Sequence, residues 1–389
     1  MTRLTIDGYV LRFPRSGIVN YVFNVVSELA RQPGFDISVL LEDLNFSDAE
    51  ISTFVRGSLN TRFIDHVEES GWLNRLNAIY RDRKLAVRLP NHREIDCAVA
   101  PGDIYFATDW YHYPARHARY NVLTYFDLTA KLHPNFHEHT NIVKETRKAR
   151  AAREFDHIVA ISEATKSDLI NHLRIPENKI TTSYLGVDSV YERLSRKSRK
   201  TFLPKYNIDP SWRYILSVCT IEPRKNVIGM LNAFRILREN PAFHDVRLVL
   251  SGNIGWRNEE LKKFMDSYSD RDKIIFAGYV ALEDMPSLYS HAEAFLFLSF
   301  YEGFGIPILE AMKSSCPVVC SNVSSMPEVI GDCGETVSPQ SPEEAAAALA
   351  RILDNSAYAD SLRFAGYVRS KKFAWRNHVE KLVQVFNNA

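Results

Sequence analysis

Cysteine is scarce in this sequence, and the positions of the cysteines argue against two kinds of stabilised domain. The 389 residues include five cysteines, which is an odd number. None of them stands in the Cys-x-x-Cys spacing that is typical of zinc sites. We therefore expect neither a disulfide framework nor a zinc centre, and this cysteine usage suits a reducing compartment.

The sequence also has no strong excess of charge and no long apolar run. Its formal net charge is +1, whereas affinity for the phosphate backbone of a nucleic acid requires a marked basic excess. No segment approaches the ~20 apolar residues that cross a bilayer, and the amino terminus has no apolar signal region. We expect a cytoplasmic protein that binds no nucleic acid and could still lie at the inner face of a membrane.

What is present describes a globular α/β protein. Hydrophobic residues make up 46% of the chain and charged residues 24%, which is typical of a protein with an ample core. A length of 389 residues indicates about two domains. Short apolar runs alternate with helical patterns, as in parallel α/β architecture. The runs are 4–6, 37–41, 104–107, 122–125 and 158–161 in a first series, and 214–218, 247–251, 273–277, 294–298 and 318–320 in a second.

A polar, basic segment at residues 193–204 separates the two series and reads as a linker. We therefore predict an α/β fold of two doubly wound, Rossmann-like domains that face each other across a deep cleft. Ligands of such sheets bind at the carboxyl ends of the strands. The ligand should accordingly lie between the two domains.

The most informative run is Ser-Phe-Tyr-Glu-Gly-Phe-Gly-Ile-Pro-Ile-Leu-Glu-Ala-Met, residues 299–312. Gly303 and Gly305 allow the backbone to approach a ligand closely, and Pro307 suits the first position of a helix. Such a helix start attracts anions. Glu310 should lie in the first helical turn, where its carboxylate could accept hydrogen bonds from a ribose diol. Glu302 ends the preceding apolar run and should face the same cleft.

Two adjacent cations, Arg224 and Lys225, follow the first strand of the second series. The carboxyl end of a strand is a cleft position in this kind of sheet. A guanidinium and an ammonium together could hold a diphosphate and neutralise a leaving group without a metal ion. The alternative is a solvated surface pair, which the neighbouring glutamates make the weaker interpretation.

Further glycines and one aromatic residue follow predicted strands. Gly17 opens the first helix and could approach phosphates from the opposite domain, and Gly252 follows a strand of the second series. Tyr279 or Val280 could line a base pocket, although such residues also serve as ordinary caps of a core.

Three histidines, His133, His137 and His139, resemble a metal cluster by composition. Their spacing matches no helical His-Glu-x-x-His arrangement, so we predict no metal site. Residues 72–88 form a basic amphipathic pattern that could rest on anionic lipid. The alternative, a helix that packs on its own domain, is the preferred interpretation.

Together these runs resemble the retaining glycosyltransferases of family four, which have the GT-B fold. Within that family they look like the bacterial mannosyltransferase-like enzymes of surface polysaccharide assembly. The similarity covers nearly the whole chain and is densest in 222–226, 251–256, 288–289, 301–312, 317–318 and 327–329. A looser set in the first half comprises 16–17, 127–128, 134, 161–163 and 186–188.

The resemblance implies the domain organisation of that family. Residues 1–200 would form the acceptor-side domain with its linker, and residues 201–370 the domain that binds a nucleotide sugar. Residues 371–389 resemble the final segment of the family, a helix that returns to pack on the first domain.

The resemblance also implies roles for individual residues. Arg224 and Lys225 would bind the donor diphosphate, Glu310 the ribose hydroxyls, and Glu302 the transferred sugar or the adjacent phosphate. No metal, other cofactor or protein nucleophile is expected. With the patterns above, the predicted catalytic residues are Asp127, Arg224, Lys225 and Glu302. The predicted donor-binding residues are Gly17, Gly252, Tyr279, Val280, Gly303, Phe304, Gly305, Ile306 and Glu310.

One departure from the family concerns the sugar. The family often has histidine before the aspartate, where this chain has Phe126 before Asp127. A phenyl ring cannot do the hydrogen-bonding work of an imidazole, so either Asp127 carries more of the role or the donor sugar differs.

The expected reaction is transfer of a hexose, with mannose from GDP-mannose favoured, to a saccharide or lipid-linked acceptor in surface polysaccharide or glycolipid synthesis. UDP-glucose and rhamnose or fucose nucleotides are alternative donors. A non-catalytic GT-B-like binding or scaffolding protein is the alternative of another class.

Overall fold

The computed structural model describes residues 2–12, 17–40, 99, 101–108, 113–192, 200–256 and 258–389. The predicted amphipathic segment 72–88 lies outside the described residues, as does most of the predicted linker.

Within the described ranges the chain forms two parallel sheets, each of six strands. The first has the order β2-β1-β3-β4-β5-β6 and the second β12-β11-β10-β7-β8-β9. The first sheet contains β1 (Thr2–Asp7), β2 (Phe35–Leu40), β3 (Ile104–Ala107), β4 (Tyr120–Tyr125), β5 (His157–Ala160) and β6 (Ile180–Thr182). The second contains β7 (Arg213–Val218), β8 (Val246–Ser251), β9 (Ile274–Gly278), β10 (Ala294–Phe297), β11 (Val318–Ser321) and β12 (Glu335–Val337). The predicted fold class is confirmed.

The helices of the described segments lie between and after these strands. In the first half they are α1 (Gly17–Leu29), α2 (Thr129–Leu132), α3 (His139–Ala151) and α4 (Glu163–Leu173). In the second half they are α5 (Val227–Arg238), α6 (Glu259–Asp266), α7 (Met285–His291), α8 (Ile306–Lys313), α9 (Met326–Ile330), α10 (Pro342–Asp354), α11 (Ser356–Ser370) and α12 (Trp375–Asn387). None of them is long and apolar enough to cross a membrane.

Local sequence explains where these elements begin. The four residues of β10, Ala-Phe-Leu-Phe, are all buried, because a central strand of a parallel sheet is covered on both faces. Side-chain caps start four of the described α-helices. At two of them, Ser162 accepts a hydrogen bond from the Thr165 amide (3.0 Å), and Asn226 accepts one from the Gly229 amide (3.1 Å).

The carboxyl-terminal helix α12 packs against the first domain. Phe386 meets Phe106 of β3 edge to face at 5.4 Å between ring centroids, and His378 Nε2 lies 3.2 Å from the Tyr21 hydroxyl of α1. The chain therefore ends on the sheet with which it begins. The boundaries at residues 200 and 370 stay predictions.

Candidate active site

Arg224 and Lys225 occupy a short 3-10 turn, Pro223–Lys225, beyond the carboxyl end of β7. The turn is fixed by Asn226, which adopts a left-handed conformation (φ 56°). Its side-chain amide donates to the carbonyl oxygens of Leu298 (3.1 Å) and Pro339 (2.7 Å). Both cations are thereby held beside the loop that follows β10.

Glu302, in that loop, accepts a hydrogen bond from each cation. Its Oε2 lies 2.8 Å from Arg224 Nη1, and its Oε1 lies 2.5 Å from Lys225 Nζ. All three side chains are largely buried. Burial alone would raise the pKa of Glu302, but Arg224 and Lys225 outweigh it and lower that pKa to about 2. The carboxylate is therefore ionised throughout the physiological range.

A second carboxylate, Glu222, also holds Arg224. Its Oε1 accepts from Arg224 Nη2 (2.8 Å) and Nε (3.1 Å). Burial raises the pKa of Glu222, and the two neighbouring cations only partly offset this increase. Glu222 is not among the predicted site residues, although it stands in the Glu-Pro-Arg-Lys-Asn run that carries the family resemblance.

Asp127 reaches this cluster from the first domain, in the loop after β4. Its Oδ1 accepts from the Thr129 amide (2.8 Å), and its charge contributes to raising the pKa of Arg224. A Cβ added at Gly303 would lie 2.3 Å from the Phe126 carbonyl oxygen and 3.0 Å from Asp127 Cβ. The loops of the two domains are thus in contact at Gly303, where a side chain would not fit. The structure brings Asp127 together with Glu302 and Gly303.

The family often has histidine where this chain has Phe126, whose ring makes an aromatic contact. The ring meets Tyr21 of α1 edge to face, with 4.9 Å between centroids. The backbone carbonyl of Phe126 accepts a hydrogen bond from Thr165 Oγ1 at 3.0 Å.

Glu310 lies in α8, and its position corrects one expectation. The helix begins at Ile306 after Gly305 (φ 100°), so Pro307 is its second residue and Glu310 its fifth. Glu310 therefore lies just beyond the first turn, contrary to the prediction, because the helix starts one residue before Pro307. Its Oε2 accepts from the Tyr289 hydroxyl at 2.8 Å. Tyr289 was also given no role, although Leu288-Tyr289 belongs to the runs that resemble the family.

The remaining predicted donor-binding residues have mixed surroundings. Gly17 is the exposed first residue of α1. Gly252 (φ 136°) packs on the loop after β7, since an added Cβ would lie 2.0 Å from the Cys219 carbonyl oxygen. Tyr279 is 63% exposed, whereas Val280 is buried in the core, as is Phe304, and Ile306 is half-buried.

Two of the three histidines considered in the sequence lie near aromatic rings. His133 is 5.3 Å from the ring of Tyr301, and His137 is 6.3 Å from Trp256. In the part of the chain that the structure describes, no group of three or more histidine, cysteine, aspartate or glutamate side chains could hold a metal ion.

Comparison with known proteins decides the family. The sequence model described as "Glycosyltransferase Family 4" matches residues 15–190, and the one described as "Glycosyl transferases group 1" matches residues 198–369. The chain belongs to the family 4 glycosyltransferases. The resemblance predicted from sequence is confirmed, and the chain is an enzyme of glycosyl transfer.

Relatives of this glycosyltransferase include O-antigen chain mannosyltransferase B of Escherichia coli, 28% identical over 382 residues that cover 97% of each chain. The serotype-specific mannosyltransferase WbdA of the same organism is 29% identical over 260 residues, which are 65% of this chain and 31% of WbdA. Among solved structures, the HepE protein of Anabaena in complex with UDP-glucose has a TM-score of 0.69 and 16% identity, with both chains fully covered. The last comparison shows the fold, which is GT-B.

Proposed function

We propose that this glycosyltransferase transfers mannose from GDP-mannose to a saccharide or lipid-linked saccharide of a surface polysaccharide or glycolipid, with retention of anomeric configuration. The observation that carries the proposal is the convergence of Arg224 and Lys225 on Glu302, at the carboxyl ends of strands and against Asp127 of the other domain. The choice of sugar is supported by the full-length similarity to O-antigen chain mannosyltransferase B.

The charges of the cluster suit a diphosphate leaving group. As the bond between the sugar carbon and the phosphate oxygen breaks, negative charge grows on the diphosphate. Two cations fixed in a largely buried site stabilise that charge without having to reorganise. Glu302 fixes both of them, since each of its oxygens binds one. In the proposed front-face transfer, the acceptor oxygen bonds to the sugar carbon and its proton passes to the leaving phosphate.

Glu310 suits the other end of the donor. Its carboxylate is half-exposed on α8, and the Tyr289 hydroxyl fixes one of its oxygens. A carboxylate held in this way can accept from the two hydroxyls of a ribose. Replacement of Glu310 should therefore weaken nucleotide binding without disturbing the cation cluster.

The experiment is a calorimetric titration with GDP-mannose, GDP-fucose, UDP-glucose and dTDP-rhamnose. We expect GDP-mannose to bind, and Lys225→Ala and Glu310→Ala each to weaken it by about tenfold or more. Lys273→Ala, which removes a lysine paired with Asp272 elsewhere in the same domain, is the matched control and should bind normally.

Each other outcome of the titration has a definite meaning. Binding of another nucleotide sugar in place of GDP-mannose would support the proposed donor site and contradict the choice of GDP-mannose as donor. If the folded protein binds none of the four, the proposed donor site is wrong.

We also propose, as the alternative to the preferred interpretation that residues 72–88 pack on their own domain, that this segment contacts the inner face of a membrane, where a lipid-linked acceptor would be available. The support is the basic amphipathic pattern of that segment. Co-sedimentation with anionic liposomes that is lost on changing Arg81, Arg83 and Lys84 to glutamate would support the contact. If the unmodified protein does not bind the liposomes, the contact is excluded.

A further inference from the structure

The loop after β10 connects the cation cluster to the first domain. Four consecutive residues of this loop, 300–303, make the connecting contacts. The side chain of Glu302 binds Arg224 and Lys225 of its own domain. The three others each meet the first domain. Phe300 stacks on Phe136 (5.4 Å, 10°), the Tyr301 hydroxyl donates to Asp168, and Gly303 abuts Phe126.

The hydrogen bond between Tyr301 and Asp168 is the polar contact of this set. The phenol oxygen lies 2.5 Å from Asp168 Oδ2, in a bond between residues 133 apart in the sequence. Tyr301 is buried, and the side chain of Asp168 is 20% exposed. Burial and the aspartate raise the pKa of Tyr301 well above its usual value, so the phenol remains a donor to the carboxylate at neutral pH.

Tyr301 is also joined to the cluster through its backbone. Its carbonyl oxygen accepts from Arg224 Nη1 at 2.9 Å, the same nitrogen that bonds Glu302. One residue therefore fixes the guanidinium through its carbonyl and reaches the other domain through its side chain. A shift of Tyr301 would move the partner of Arg224 and, through the next peptide unit, Glu302.

Helix α4, which carries Asp168, is docked on the second domain at two other points. Glu328 accepts from the backbone amides of Glu163 (2.9 Å) and Ala164 (3.0 Å) at its first turn. Thr165 Oγ1 lies 3.4 Å from the Gly303 carbonyl oxygen. Thr165 and Asp168 are three residues apart and so lie on one face of the helix.

We propose that Asp168 is a positioning residue for glycosyl transfer. By accepting a hydrogen bond from the Tyr301 hydroxyl, Asp168 fixes the loop that holds Arg224 and Glu302. The cation cluster is therefore fully assembled only when the two domains are docked. The inference rests on glycosyl transfer at this site and is independent of which nucleotide sugar is the donor.

The test compares Asp168→Leu, Tyr301→Phe and the double variant with the unmodified enzyme. Each substitution removes the hydrogen bond and keeps the approximate shape of the side chain. The matched control is Tyr358→Phe, which removes a phenol bond to Glu335 (2.7 Å) within the second domain. The first measurement is small-angle X-ray scattering without nucleotide and with GDP. We expect a larger radius of gyration for the three cleft variants than for the unmodified enzyme or Tyr358→Phe.

The second measurement is release of GDP from GDP-mannose by hydrolysis. We expect each single variant to lower kcat by about tenfold with KM for the donor little changed, because the lost bond has a charged acceptor. The double variant should be no slower than either single variant, since both remove one bond. The thermal midpoint of unfolding of the cleft variants should stay close to that of Tyr358→Phe. A lower kcat would then not be due to a general loss of stability.

Two results would overturn the inference. One is scattering by Asp168→Leu and Tyr301→Phe that matches the unmodified enzyme. The other is a double variant whose kcat loss is the product of the two single losses, since that would mean two unrelated roles. If the unmodified enzyme does not hydrolyse GDP-mannose, the calorimetric titration decides the donor, and the scattering alone decides the role of Asp168.

Discussion

Glu328 of the second domain caps a helix of the first: its Oε1 accepts from the Ala164 amide at 3.0 Å, and its Oε2 accepts from the neighbouring amide. The amides at a helix start lack partners within the helix and carry partial positive charge, so a carboxylate is favoured there. Burial and, after it, the same glutamate raise the pKa of Tyr184 to about 12. The capping of α4 is therefore shared between Ser162 of its own domain and Glu328 of the other.

Removal of this cap should weaken domain docking. We expect Glu328→Ala to lower the free energy of unfolding in urea by about 1 kcal/mol, the usual effect of losing a helix cap. Glu328→Gln keeps one acceptor oxygen and should lose less. Glu260→Ala, at an exposed first-turn position of α6, serves as control. A loss for Glu328→Ala no larger than that for Glu260→Ala would show that acceptance by the carboxylate is not the cause.

Glu302 predicts an acid-dependent loss of stability. Its pKa is lowered from 4.5 to about 2 in the folded protein. The unfolded chain therefore takes up the proton first, so the stabilisation is complete above pH 4.5 and is lost as the pH falls towards 2. A pKa difference of this size corresponds to on the order of 3 kcal/mol.

The measurement is urea unfolding between pH 6 and pH 3 for the unmodified enzyme and Glu302→Gln. The variant should be less stable at pH 6, and the difference should shrink as the pH falls. Glu222 acts in the opposite sense because burial raises its pKa, but it is present in both proteins. Parallel pH curves would contradict the assignment.

The sequence predicted elements whose own residues determine them and missed those that depend on contacts elsewhere. The apolar run at 294–298 predicted β10, because a strand covered on both faces must be apolar throughout. The three-residue strands β6 (Ile-Thr-Thr) and β12 (Glu-Thr-Val) were missed, because they are short, partly polar edge strands that leave no periodic signal.

The same division holds for the candidate site. Arg224, Lys225 and Glu302 follow strands of one sheet, so the rule on strand ends predicted that they lie together. The pairing of Tyr301 with Asp168 depends on how two separate domains dock, which no local pattern encodes. Likewise, the capping role of Glu328 follows from tertiary structure alone.

His378 gives a second pH dependence, at higher pH. It is buried between Ser183 and Tyr21, and burial lowers its pKa from 6.5 to about 4. The unfolded chain binds the proton near pH 6.5 and the folded chain only near pH 4, so stability is lost as the pH falls between these values. We expect the free energy of unfolding to fall less between pH 7 and pH 5 in His378→Gln than in the unmodified enzyme. The same drop in both would contradict a neutral buried imidazole.

Gly303 should tolerate no side chain, because the space for a Cβ is filled by backbone of the other domain. In Gly303→Ala the new Cβ would lie 2.3 Å from the Phe126 carbonyl oxygen, so the two loops must move apart. We expect the loss of most transferase activity, at least tenfold in kcat, and an increased radius of gyration, while each domain keeps its fold. Gly17→Ala, where no atom lies within 4 Å of the new Cβ, is the control for stability and should unfold at the same urea concentration as the unmodified enzyme. An active, compact Gly303→Ala would mean that the loops of the two domains can separate at this point without consequence for catalysis.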